Sequence, residues 1–167
     1  MNNVFKTIVL SICVALVSLA FVACGDTSSI IGSDPVLPSY SQNAPANDEG
    51  LKATLTSNGY SAFFGGIGVV YSIKSAGGIT STFVGINTAT YDTTNTYAAL
   101  ANSLKQSFAT YNSLLASNKA QLEKTLTDAG FTHFNITATA MSYKTASLEY
   151  SLVIHGTWIL VEMKTVS

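Results

Sequence analysis

The stretch FTHFNITATAMSYKTASLEYSLVIHGTWILVEMKT, residues 131–165, alternates apolar and polar side chains over much of its length. A period of two is satisfied by strands with one buried face and by no helix. Gly156-Thr157 puts glycine at the first central position of a type II′ turn. Strands leaving that turn set Ile154 against Ile159, Leu152 against Val161 and Tyr150 against Met163 on one apolar face, with Glu149 against Lys164 on the other. A three-residue loop, Lys144-Thr145-Ala146, extends that face by placing Ile136 opposite Ile154, Ala138 opposite Leu152 and Ala140 opposite Tyr150. The expectation is a three-stranded antiparallel meander over 131–165.

The segment that feeds this meander has an earlier echo. LKATLTSNGYSAF (51–63) and LEKTLTDAGFTHF (122–134) align without gaps, Leu51, Leu55, Gly59 and Phe63 recurring as Leu122, Leu126, Gly130 and Phe134. Each copy reads as the last turns of a helix, a left-handed glycine cap and an aromatic opening a strand. Two readings stand side by side: a duplicated unit, or convergence on a common helix-to-strand punctuation. After the first copy, strands over 60–74 and 79–88 meet around SAGG, pairing Ile67 with Ile86 and Val69 with Val84, while Val70 and Phe83 fall on the opposite face. The glycines of FFGGIGVVY lead into strand, whereas a phosphate-binding loop leads into a helix N-terminus. Gly65, Gly66, Gly68 and Gly85 are therefore assigned to a bulge, a bend or the close approach of a helix to the sheet.

Between the two units, Tyr97, Leu100, Leu104, Phe108, Tyr111, Leu115, Leu122 and Leu126 recur at helical spacing. One helix over 97–128 would be about 48 Å long, more than a small sheet can cover, so a break is expected near Ser117-Asn118. The body, residues 48–167, is expected to be one α+β domain of two αββ-type units, αββ followed by αβββ, with helices packed on antiparallel sheet.

The start of the chain is of a different kind. Lys6 precedes an uncharged apolar run, TIVLSICVALVSLAFVA, which ends at Cys24-Gly25-Asp26. The run is long for an export signal and marginal for a membrane span. Ala23-Cys24 with Leu19 upstream resembles the lipobox of bacterial lipoproteins, although Phe21 stands where that family usually has leucine. The resemblance implies cleavage after residue 23 and covalent lipid, such as palmitate, on Cys24. The alternative is an uncleaved anchor helix, and both place the body in the cell envelope outside the cytoplasm. Residues 24–47, which hold all three prolines, then read as the lipidated cysteine and a flexible tether. Cys13 leaves with the signal, so no disulfide remains to staple the body.

All eight basic residues are lysine, against nine acidic residues, which argues against nucleic-acid binding. The catalytic inventory is thin: two histidines, no hydrolase or metalloprotease motif, and no thiol outside Cys13 and Cys24. By the meander register His133 and His155 are diagonal neighbours, a pair that could hold a transition metal but has no third ligand beside it. No cofactor is expected besides the lipid on Cys24. The element order and the echo are similar to tandem-repeat modules of the PepSY and β-lactamase-inhibitor kind, envelope proteins whose family role is inhibitory binding. The reading is a lipoprotein anchored in a membrane, facing the periplasm, as at the outer membrane, or the cell surface. It presents a non-catalytic domain to a protein partner through an exposed sheet face with Tyr143, His155 and Trp158. A carrier of an apolar ligand, with space beneath the long helix, is the alternative, and a small envelope enzyme stands third.

Overall fold

A computed structural model describes residues 29–32, 34–94 and 96–166. Among these residues the fold is α+β: three α-helices and one eight-stranded mixed sheet. In chain order the elements are β1 (Ile31–Gly32), a 3₁₀ turn (Ser39–Ser41), α1 (Asp48–Ser57), β2 (Phe63–Phe64), β3 (Val69–Ala76), β4 (Ile79–Asn87), α2 (Thr96–Ser117), α3 (Lys119–Asp128), β5 (Phe131–Ile136), β6 (Ala140–Thr145), β7 (Leu148–His155) and β8 (Trp158–Val166). The strands lie in the order β1-β5-β6-β7-β8-β4-β3-β2. Only β1 pairs in parallel, with β5; every other neighbour is antiparallel.

Local chemistry sets the helix ends. Asn47 caps α1 by accepting from the Gly50 amide at 2.8 Å, and Asp48 and Glu49 sit in the first turn, where the helix dipole favours anions. Asn118 breaks the long apolar stripe: its non-helical backbone ends α2, and its side chain accepts from Gln121 to start α3. The glycines that close the two echoed segments share one conformation, φ 85° at Gly59 and 84° at Gly130, which side chains with a Cβ rarely adopt.

The β7–β8 pairing follows the alternation: Tyr150 faces Met163, Leu152 faces Val161, Ile154 faces Ile159 and Glu149 faces Lys164. Upstream the structure corrects the sequence reading. The chain turns at Thr137-Ala138-Thr139, so 131–145 is two strands and the meander has four. The β6–β7 loop is the two residues Ala146-Ser147, and Tyr143 rather than Ala140 faces Tyr150. That slip of three residues is odd, so it exchanges the faces of β6. In the first hairpin Gly77 and Gly78, both at positive φ, make the turn, and Val69 faces Ile86. This slip of two residues leaves the faces as expected.

Both faces of the sheet are covered. On one, α2 and α3 bury Leu100, Leu104, Phe108, Tyr111, Leu122 and Leu126 with Val84, Ile86, Leu152, Ile159 and Val161. On the other, Leu51 and Leu55 of α1 and Tyr60 join Val70, Phe83, Val153, Trp158 and Leu160. Gly85 explains how close α1 comes: a Cβ there would lie 2.6 Å from Leu51 Cδ2. The echoed helices α1 and α3 thus pack on opposite faces. A perpendicular two-fold relating the antiparallel pair β4–β8 would put them on the same face, so the echo lies in the local punctuation and not in the tertiary arrangement.

Candidate interaction surface

The α1 face of the sheet is apolar beneath the helix and polar beside it. Antiparallel register lines up Asn135, Ser142, Ser151 and Glu162 across β5, β6, β7 and β8 as one rung. All four are buried, Glu162 at 5% exposure. Their cover is the chain between β1 and α1, the part of the proline-bearing segment expected to be a tether. Its described residues are docked on the sheet instead. Ile30 donates to Glu123 Oε1 of α3 at 2.8 Å, and Ile31 and Gly32 pair with Phe134 and Asn135. The chain then rounds the β5 edge and follows the rung: Asn135 Nδ2 donates to the Asp34 carbonyl, the Val36 amide to Ser142 Oγ at 3.0 Å, and Tyr40 to Glu162. Gly32 keeps the edge close, because a Cβ there would stand 2.1 Å from Asn135 Oδ1 and force that side chain to shift.

Glu162 is the knot of this arrangement. Its Oε1 accepts from Tyr40 and, at 2.8 Å, from Tyr60, while Lys164 Nζ lies 3.5 Å from Oε2. Burial, reinforced by the neighbouring carboxylate, raises the pKa of both phenols, so each stays a donor. Tyr60 also carries Lys74 Nζ 4.4 Å above its ring. One carboxylate on β8 therefore ties down both the arm and the chain end of α1.

The sequence-predicted surface is not a surface. Trp158 does lie opposite His155, but it is 3% exposed beneath the arm and α1, because the face expected to meet solvent is the second core. Tyr143 is 4% exposed on the other face, stacked on Tyr150 at 4.5 Å, since the extra turn reverses β6. Neither phenol has a hydrogen-bond partner among the described residues, and burial holds both in the neutral form. His155 is half-buried with Nε2 2.8 Å from the Ser41 carbonyl. His133 is half-buried with Nε2 2.8 Å from Asn135 Nδ2. The two histidines are not neighbours: β6 lies between their strands, and two strand spacings with a six-residue offset separate them by about 22 Å. No group of three His, Cys, Asp or Glu suited to a metal ion occurs among the described residues. Cys24 lies outside the described residues.

The largest apolar exposures in the body lie elsewhere, at Phe64 (61%) and Ile67 (78%). They flank the glycine loop between β2 and β3, where a Cβ on Gly65 would strike the Val69 carbonyl and one on Gly68 the Tyr91 amide. The loop runs into β3, not into a helix. The sequence signal for this site was present in FFGGIGVVY, but the strand expected over 60–74 concealed that the loop projects. Compared with known proteins, the chain matches no protein family, and no curated protein or solved structure is significantly similar to it.

Proposed function

We propose that this protein is a lipoprotein of the cell envelope that presents a non-catalytic binding domain from a membrane. The observation that carries the reading is the run LAFVACGD, where a long apolar segment meets a small residue, a cysteine and a polar start. Three further features support it. No helix among the described residues is long and apolar enough to cross a membrane, so the body offers no helical span of its own. The space beneath α2 is filled by Leu100, Leu104, Phe108 and Tyr111, which favours a packed module over a carrier. Phe64 and Ile67 stand in solvent on the glycine loop, the type of side chain that anchors a protein contact.

Fatty-acid labelling in the source cells tests the reading. Label is expected on the native protein and absent from Cys24→Ser. Equal labelling of both would overturn the assignment of Cys24.

A further inference from the structure

The docked arm changes what the anchor can do. We infer that residues 29–32 and 34–47 form a releasable strap, which lifts off the sheet as a unit while the domain stays folded and so lengthens the leash to the membrane. The leash rests on the lipoprotein reading; the release does not.

The interface beneath the strap is built from groups that water can satisfy. Asn135, Ser142 and Glu162 meet the strap through hydrogen bonds and Ser151 lies under it, with Trp158 and Phe83 as the apolar part of its floor, whereas the same face under α1 is leucine, phenylalanine and valine throughout. Exposing amides, hydroxyls and a carboxylate costs little, because solvent replaces each lost partner. The strap's ladder is only two residues long, and its Val36 is 71% exposed. An open groove of about 140 Å³ remains between Val36, Leu37 and Pro38 on one side and Glu149, Ser151, Glu162 and Lys164 on the other. The strap's apolar fastenings are Ile30, Ile31, Leu37 and Tyr40. Pro35, Pro38 and Pro45 restrict the released chain, which lowers the entropy lost on docking again.

The gain in reach follows from chain geometry. With Ile30 held by Glu123, six residue steps take Cys24 to the fold, a span of about 20 Å at most. Released, the segment up to Asp48 is a coil with a root-mean-square length of roughly 27 Å and a full extension of roughly 80 Å.

Native-state hydrogen exchange on the processed chain, residues 24–167, tests the release. The amides of Val36 and Ser41 are expected to exchange at least 100-fold faster than those of Leu152 and Val161, with weaker dependence on denaturant. Tyr40→Phe keeps the ring and Tyr60 on Glu162, and is expected to speed strap exchange about ten-fold while β7 and β8 are unchanged. Gly32→Ala, which clashes only at the edge, should do the same. Strap and core amides exchanging together in all three proteins would overturn the strap. To read the leash, the chain is coupled through Cys24 to a maleimide lipid in vesicles, with the single Trp158 as energy donor to a dansyl lipid. Transfer should fall in Tyr40→Phe; unchanged transfer with fast strap exchange would overturn the leash alone. Because the coupling is chemical, neither result depends on native lipidation.

Discussion

Gly85→Ala tests whether α1 occupies the sheet face opposite α2 and α3. The φ of Gly85 lies outside the left-handed region, so alanine meets no backbone penalty, and any cost comes from space. The new methyl would sit 2.6 Å from Leu51 Cδ2, 3.3 Å from Phe83 Cε1 and 3.4 Å from Leu160 Cδ2, so one of three contacts is short by about 1 Å. Overpacking a full core costs about 1–3 kcal/mol, and loss of glycine freedom in the unfolded chain returns about 0.5 kcal/mol. The net expectation is a loss of about 1–2 kcal/mol, or roughly 3–8 °C in Tm. Leu51→Ala alone should cost about 2–5 kcal/mol by opening a cavity. In the Gly85→Ala background the methyl partly fills that cavity, so the two losses should fall short of their sum by at least about 0.5 kcal/mol. Urea unfolding of the four proteins measures this. Strict additivity, or a more stable Gly85→Ala, would refute the placement of α1.

The other predictions address caps, alkali and the exposed loop. Asn118→Ala should cost about 1 kcal/mol through loss of the α3 cap, read by thermal unfolding, while Asn112→Ala in the preceding helix should cost less. Tyr60, Tyr143 and Tyr150 have folded pKa values above the ordinary 10, so their contribution is complete below pH 10 and is lost as pH rises. Each removes about 1.4 kcal/mol per pH unit above 10, so the part of the tyrosinate absorbance lost in Tyr60→Phe, Tyr143→Phe or Tyr150→Phe should be the part that rises with loss of the far-ultraviolet signal. Phe64→Ser and Ile67→Ser should change stability by no more than about 0.5 kcal/mol. A photo-crosslinker at Ile67 should capture one envelope protein that a crosslinker at exposed Lys105 does not.

What could be read from the sequence depended on whether turn chemistry was local and explicit. Gly156-Thr157 fixed the β7–β8 register because glycine in a two-residue turn leaves one pairing. The caps at Gly59 and Gly130 and the break at Asn118 were legible for the same reason, whereas close helix approach was one of three readings shared by Gly85 and the loop glycines. The turn at Thr137-Ala138-Thr139 was not, because ITATA carries no glycine or proline and has the alternation of a strand. That one omission reversed β6, brought His133 beside His155 on paper, and turned Tyr143 outward. The strap was hidden by composition: prolines and hydroxyls describe a linker as well as a docked chain, and only the distant rung of Asn135, Ser142 and Glu162 distinguishes the two. Asn135 and Glu162, at alternate strand positions, looked like part of a solvent face, which is how Trp158 came to be placed in water.

The measurement closest to the central claim is the intact mass of the native protein extracted from its membrane. The account predicts a chain that begins at Cys24, lacks residues 1–23, and carries the added mass of a diacylglyceryl group on its first residue, commonly with a further acyl chain. A mass that retains residues 1–23 with no lipid would contradict it and leave the apolar run as an uncleaved anchor.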